Sequence, residues 1–276
     1  YAYSNSINNI TYFCINVLGN HSKIWDNKIN DCRGVDGIWI NAWNVEVYDN
    51  EISLCLTPLM SGFESGYGIT TSSVFRNTRE DFRPSNISIH NNTIKDSLRG
   101  ILADYDIDDV KISDNIITNV TEGIKIASAE ADECTRVPSN VIVSRNTLDS
   151  EKGIIVIDVH RQAGCFWGAH NYTFYGNIIV SGEIGFEFVG NSVEKAQFFR
   201  DIELKSNVIN STTAIIVRHI DGILIDDNKI ESENGISLIG SLSAEITNNV
   251  LNSSFKGIIV GREIVDKPST GSISFN

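Results

Sequence analysis

Three observations predict the fold class. An Asn-x-aliphatic pattern recurs ten times, the shortest repeat is 21 residues long, and no long stretch has an apolar period of 3.6 residues. We expect an all-β chain folded as a right-handed parallel β-helix, a solenoid of about ten coils. Residues 1–276 would then form a single domain. The abundance of Asn, Ser, Gly and Ile fits short strands joined by polar turns.

Each repeat reads aliphatic-x-aliphatic-x-x-Asn-x-aliphatic, then a polar stretch, then Gly-aliphatic-x-aliphatic, as in DGILIDDNKIESENGISLIG (221–240). In a parallel solenoid, equal positions of successive coils stack about 4.8 Å apart, and alternate strand residues point into the core. The repeated Asn side chains should therefore form a ladder that bonds to the turn backbone and to each other. The ladder residues are Asn5, Asn27, Asn50, Asn92, Asn115, Asn146, Asn177, Asn207, Asn228 and Asn249.

A glycine precedes the third strand in eight repeats, and we interpret it as a turn position that needs a positive φ. These glycines are Gly37, Gly68, Gly100, Gly123, Gly153, Gly185, Gly235 and Gly257.

With this pattern the chain resembles the pectate-lyase-like superfamily of right-handed β-helices, in particular the repeats of carbohydrate-binding proteins and sugar hydrolases. The resemblance covers nearly the whole chain. It implies the fold and a polysaccharide or glycan partner, but this fold supports many activities, so it does not select one reaction.

Composition narrows the partners and the location. The net charge of −13 argues against nucleic acid and anionic membranes. No apolar run reaches the roughly 18 residues of a spanning helix, so membrane insertion is not expected. Eight Asn-x-Ser/Thr sites and five cysteines favour a secreted, disulfide-bonded glycoprotein that is extracellular or on the cell surface. The pattern selects no oligomeric state.

Two disulfides are predicted from the repeat register. Cys32 and Cys55 both lie five residues after a ladder Asn, so they should stack in neighbouring coils. A buried pair of free thiols is the alternative for them. Cys134 and Cys165 both lie 19 residues after a ladder Asn, in neighbouring insertions. Cys14 is left as a core residue.

Insertions lengthen several repeats beyond 23 residues. One lies within Ser53–Arg83, and three more follow the Gly-aliphatic-x-aliphatic strand in consecutive coils (AEADECTRVPS, VHRQAGCFWGAHN and NSVEKAQFFRD). They should protrude from one side, where a site is expected. The repeats begin and end within a coil, so we expect the chain to be a fragment of a longer protein.

Charged residues gather beside those insertions. The candidate catalytic residues lie just past the same strand: Asp104, Asp158, His160, Arg161, Arg218 and His219. Lys125 and Glu187 are candidate substrate-binding residues that we place in neighbouring coils, pointing outward. The resemblance implies that an Arg or a cation neutralises a uronate carboxylate while a base such as His160 removes the adjacent proton. A hydrolase would instead use paired carboxylates, and simple structural ion pairs are the non-functional alternative.

Two further features complete the candidate site. Asp104 and Asp106 of DYDIDD (104–109) form a candidate Ca²⁺ site, although the spacing is not that of an EF-hand loop. Trp39, Trp43 and Trp167 are candidates for stacking on sugar rings, because we place them outward or in an insertion.

The leading hypothesis is a secreted carbohydrate-interacting β-helix with polysaccharide lyase, epimerase or glycoside hydrolase activity. A non-enzymatic adhesin or envelope scaffold is the first alternative. A viral tailspike or fibre domain, for which a trimer is expected, is the second.

Overall fold

The computed structural model describes residues 1–33, 35–56, 66–72, 84–104, 107–127, 138–157, 170–190, 200–241 and 243–261. This part of the chain contains 24 strands and no helix, so in particular it has no helix that could cross a membrane. The strands are β1 (Ala2–Tyr3), β2 (Ser6–Ile10), β3 (Ile15–Val17), β4 (Lys23–Trp25), β5 (Lys28–Cys32), β6 (Ile38–Ile40), β7 (Val45–Tyr48), β8 (Glu51–Ser53), β9 (Tyr67–Ser72), β10 (Ser85–His90), β11 (Thr93–Lys95), β12 (Arg99–Asp104), β13 (Asp108–Ser113), β14 (Ile116–Ala127), β15 (Ser139–Ser144), β16 (Thr147–Ile157), β17 (His170–Tyr175), β18 (Ile178–Val189), β19 (Arg200–Lys205), β20 (Val208–Arg218), β21 (Asp221–Asp226), β22 (Lys229–Ile239), β23 (Ser243–Thr247) and β24 (Val250–Gly261).

All strand pairs are parallel, and each strand pairs with its equivalent in the next coil, which confirms the predicted solenoid. The first sheet has ten strands, one from each coil: β1-β4-β7-β10-β13-β15-β17-β19-β21-β23. We number the coils 1 to 10 in this order. The second sheet has 14 strands, because coils 1 to 4 contribute two short strands each and later coils contribute one long strand of 11 or 12 residues.

The asparagine ladder is confirmed along its full length. At each step the backbone N–H and the side-chain Nδ2 of one Asn donate to Oδ1 of the next, at 2.8–3.1 Å. Nδ2 of Asn115 also donates to the carbonyl of Ile89 at 3.0 Å. The amide therefore satisfies backbone groups that the sharp turn leaves without strand partners.

The residue before every ladder Asn has a positive φ, a regularity that we did not predict. These ten residues are Ser4, Asp26, Asp49, Asn91, Asp114, Arg145, Gly176, Ser206, Asp227 and Asn248. Most are Asp, Asn, Gly or Ser, which tolerate the left-handed conformation. Arg145 is the long-chain exception, and Asp114 holds its guanidinium through two bonds of 2.7 Å.

The repeated glycine before the third strand has a different cause from the one we predicted. None of the eight has a positive φ. Instead, a Cβ on Gly153 would lie 2.4 Å from the carbonyl oxygen of Gly185 in the next coil. Likewise, a Cβ on Gly100 would lie 2.2 Å from the carbonyl oxygen of Gly123 in the next coil. A side chain is excluded because neighbouring coils nearly touch here.

The predicted Cys32–Cys55 disulfide is wrong. Cys32 is bonded to Cys14, with 6.4 Å between their Cα atoms, and Cys55 is a buried free thiol. Stacked side chains such as those of Cys32 and Cys55 point the same way, whereas Cys14 occupies the glycine position and faces Cys32. The same relation recurs one coil later, where a Cβ on Gly37 would lie 3.4 Å from Sγ of Cys55. Cys134 and Cys165 lie outside the described residues.

Candidate functional site

The outward side chains of the third strand in coils 2 to 5 form a surface that we call the front face. It consists of Asp36, Trp39, Asn41, Tyr67, Thr70, Ser72, Arg99, Leu102, Asp104, Glu122, Lys125 and Ala127. All of them except Arg99 and Glu122 are less than a tenth exposed, although they point away from the core. Equivalent positions in coils 7 to 9, such as Glu187, Ile216 and Ser237, are only partly buried. The covered part of this face is therefore confined to one region of the solenoid.

Asp36 is a buried acid of the front face whose pKa is perturbed. Its Oδ1 accepts a hydrogen bond from the backbone N–H of Tyr67 at 3.0 Å. Burial raises the pKa of Asp36 from 3.8 to about 6, against the opposing effects of the Thr70 hydroxyl, the Tyr67 and Gly66 amides and the charge of Arg99. A carboxyl group with this pKa can take up and release a proton near neutral pH, as a general acid or base must.

Tyr67, Arg99 and Glu122 form a network in the same row as Asp36. The Tyr67 hydroxyl donates to Oε2 of Glu122 at 3.2 Å, and Nε of Arg99 lies 2.9 Å from the same oxygen. The guanidinium carbon lies 5.2 Å from the centre of the Tyr67 ring, a cation–π contact. Three coils thus hold a phenol, a guanidinium and a carboxylate in fixed positions.

These four residues were not among the predicted site residues. Each directly precedes one of the repeat glycines, at Gly37, Gly68, Gly100 and Gly123. Alignment of the repeats on that glycine would have placed them in one row.

Two predicted residues, Asp104 and Lys125, do lie on the front face, and both are 8% exposed. Arg218 lies in the same row as Asp104 but four coils away, through the pairs Asp104–Ala127, Ala127–Ile157, Ile157–Val189 and Val189–Arg218. That separation is about 19 Å along the axis. Asp104 and Arg218 therefore do not converge.

Glu187, Arg218 and His219 belong to a separate group in coils 7 and 8. Glu187 is paired with Arg218 at 3.4 Å. It is two coils from Lys125, with Ile155 between them, so the prediction of neighbouring coils is wrong. The His219 ring lies against Gly240, where an added Cβ would be 2.9 Å from Nδ1.

The aromatic prediction needs correction for Trp39. This ring is 9% exposed, stacks on Phe13 with centroids 4.6 Å apart, and donates from Nε1 to Ser72 at 3.1 Å. Because one face stacks on Phe13 and little of the ring is exposed, Trp39 is not the exposed stacking platform that we predicted. Trp43 is partly buried.

The remaining predicted site residues, Asp106, Asp158, His160, Arg161 and Trp167, lie outside the described residues. Within the described ranges no three His, Cys, Asp or Glu side chains are grouped as a metal site. Because Asp106 is not among them, the candidate Ca²⁺ site stays a prediction.

Comparison with known proteins agrees with this architecture. The AlgE6 A-module, a mannuronan C-5 epimerase from Azotobacter vinelandii, superposes with a TM-score of 0.54 at 10% identity, covering 99% of this chain and 91% of the module. XylC in complex with xylose gives a TM-score of 0.47 at 14% identity; 87% of this chain matches, but this spans only 38% of XylC. The Streptococcus pneumoniae surface protein and adhesin PfbA gives 0.41 at 16% identity, with 98% and 67% of the two chains covered.

At the level of sequence, a comparison with curated proteins finds no match. The family model described as the right handed beta helix region matches residues 2–158, more than half of the chain. Together with the stacked parallel coils, this match shows that the chain belongs to the right-handed β-helix family.

Proposed function

We propose that the front face binds a glycan and carries out acid–base chemistry on it. The observation that carries this proposal is the buried carboxyl of Asp36, with its pKa raised to about 6, in one row with Tyr67, Arg99 and Glu122. Perturbed acids next to fixed cations are typical of catalytic sites. A polymeric glycan is also consistent with the name of the AlgE6 A-module, which shares the fold.

The spacing of Asp36 and Glu122, the two carboxyl groups of this row in the described coils 2 to 5, favours proton abstraction over hydrolysis. Glycoside hydrolases place two carboxyls roughly 5–9.5 Å apart across the scissile bond. Asp36 and Glu122 are three coils apart, about 14 Å along the axis. We therefore propose a lyase or an epimerase, which needs a base beside the sugar carbon and a cation for the adjacent carboxylate.

Roles follow from position. Of Asp36 and the Tyr67 hydroxyl, one would take the proton from the sugar carbon and the other would return a proton, to the leaving glycosidic oxygen in an elimination or to the opposite face of the carbon in an epimerisation. Arg99 would face the uronate carboxylate with help from Lys125. Glu122 would hold Tyr67 and Arg99 in place, because both contact its Oε2. An extracellular or cell-surface location, which we also propose, is supported by the Cys14–Cys32 disulfide.

The test is an assay of the chain against uronate-containing and neutral polysaccharides. Unsaturated ends would report elimination, nuclear magnetic resonance would report epimerisation, and new reducing ends would report hydrolysis. We expect Asp36→Asn to lower turnover by about 10²–10⁴-fold. Asp149→Asn is the matched control, because Asp149 is exposed on β16, far from the front face. Full activity in Asp36→Asn would contradict the proposal.

The burial of the front face favours one alternative, a non-enzymatic surface protein in which this network is structural. In that case no polysaccharide would be turned over, whether or not the chain is retained on a glycan column. Replacement of Tyr67 by Phe would then alter the thermal stability without altering glycan retention.

A further inference from the structure

Lys152 is an accessible cation that continues the row in which we place the proposed chemistry. It is the strand partner of Glu122, so the row of Asp36, Tyr67, Arg99 and Glu122 extends onto coil 6. The side chains of the row become more exposed in this direction, from 18% for Arg99 and 19% for Glu122 to 37% for Lys152. Lys152 thus lies at the surface of the described chain, where a polymer can reach it.

The ion pair that Lys152 makes within the described ranges is weak. Its partner is Glu183, whose carboxylate oxygen lies 4.0 Å from Nζ. Glu183 is 59% exposed, so water screens this pair, and the carboxylate of a ligand can replace it at little cost. Glu122 is placed differently, because Arg99 holds it at 2.9 Å and the Tyr67 hydroxyl at 3.2 Å. The ammonium group of Lys152 therefore remains able to bind a ligand.

The charges of this row alternate from coil to coil. Arg99 in coil 4 and Lys152 in coil 6 are about 10 Å apart along the axis, and Glu122 lies between them in coil 5. Each uronate residue of an extended polymer advances it by roughly the thickness of one coil, about 4.8 Å. A polymer with all its carboxylates on one side would bring one of them against Glu122. In a two-fold chain successive carboxylates point to opposite sides, so only every second one faces this row.

We propose that Lys152 binds the carboxylate two sugar residues along from the one that faces Arg99, so that the substrate is a 1,4-linked polyuronate with equatorial linkages, whose extended chain has this two-fold form. This inference rests on the proposed function and deepens it by naming the substrate class. The sugar residue between the two carboxylates turns its hydroxyls towards Glu122, which accepts their hydrogen bonds. Lys152 is a substrate-binding residue and takes no part in the proton transfer.

Three variants separate a specific carboxylate contact from a general effect of charge. Lys152→Gln removes the charge, and Lys152→Arg keeps it. Lys205→Gln is the matched control, because Lys205 is also 37% exposed and pairs with one glutamate, Glu203, but lies in the first sheet. The probes are hexamannuronate with 1,4-β linkages, hexagalacturonate, which has the same charge but axial linkages, and cellohexaose, which has equatorial linkages but no carboxylate.

The measurement is calorimetric affinity in the Asp36→Asn background, where slow turnover leaves the probes intact. We expect hexamannuronate to bind most tightly of the three probes. Lys152→Gln should weaken the binding of hexamannuronate about tenfold, because one charge-assisted contact is lost, and should leave that of cellohexaose unchanged. Lys152→Arg and Lys205→Gln should leave the affinity for hexamannuronate unchanged.

Each contrary outcome has one meaning. Unchanged affinity for hexamannuronate in Lys152→Gln, or equal losses in Lys152→Gln and Lys205→Gln, would overturn the inference, as would tighter binding of hexagalacturonate than of hexamannuronate. In these cases turnover of a polysaccharide by the wild type that is lost in Asp36→Asn would leave the proposed function standing. An absence of binding and turnover with every probe and polysaccharide would overturn both.

Discussion

The raised pKa of Asp36 predicts a specific dependence of stability on pH. In the folded chain burial holds the pKa of Asp36 at about 6, against 3.8 for the ordinary carboxyl. The folded state therefore keeps the proton to higher pH than the unfolded state. The contribution of this group to the free energy of unfolding is fully present below about pH 4 and is lost as the pH rises to about 6. Above that pH the free energy of unfolding no longer changes with the ionisation of Asp36. A difference of about 2 pKa units corresponds to about 3 kcal/mol.

Asp36→Asn removes the ionisable proton and keeps a side-chain oxygen that can accept from the Tyr67 amide. At pH 7.5 we expect the variant to unfold with a free energy up to about 3 kcal/mol higher than that of the wild type. Near pH 4 the two proteins should be about equally stable. The assay is urea-induced unfolding followed by tryptophan fluorescence at a series of pH values from about 4 to about 8.

The control for this experiment is Asp149→Asn, which replaces an exposed carboxyl and should leave the pH profile unchanged. The reasoning is refuted if Asp36→Asn is less stable than the wild type at pH 7.5, or if the difference between them is independent of pH. The first result would mean that the ionised Asp36 is stabilised by its surroundings, and the second that folding does not change the pKa of Asp36. Activity gives a second readout, because the limb of the pH–rate profile near 6 should disappear in the variant.

Three other predictions concern the solenoid. Asn146→Ala should cost about 3 kcal/mol or more in urea unfolding, because the Asn146 amide makes three donor bonds and accepts two, whereas Asn252→Ala, at an exposed position, should be nearly neutral. Gly153→Ala should lower the free energy of unfolding by about 1–3 kcal/mol, because the new Cβ would lie 2.4 Å from a carbonyl oxygen. Gly182→Ala is the control and should leave stability unchanged, because a Cβ there has nothing within 4 Å. Equal effects of the two substitutions would contradict the close-approach explanation. Burial raises the pKa of the Cys55 thiol to about 12, so iodoacetamide at about pH 8 should label it only after unfolding; rapid labelling of the native chain, seen by mass spectrometry, would show that the thiol is accessible.

The sequence by itself determined the coils, their register and the ladder. It could do so because each coil of a solenoid contacts only its neighbours, so one local pattern repeats with one packing solution. Asn5 to Asn249 could therefore be placed without any knowledge of the tertiary structure. The same register put Lys125 on the outer side of the third strand, whereas Asp104, which we placed just past that strand, is its last residue.

The tertiary structure alone decided relations that run between rows or depend on burial. Cys32 bonds to Cys14 in another row, and Gly153 is a glycine because of a carbonyl oxygen in the next coil, not because of its own φ. Asp36 looks like an ordinary turn residue in the sequence. Its pKa rises only because the folded chain removes it from water. Periodicity specifies which residues share a row, but the distances between rows and the access of water decide which of them can do chemistry.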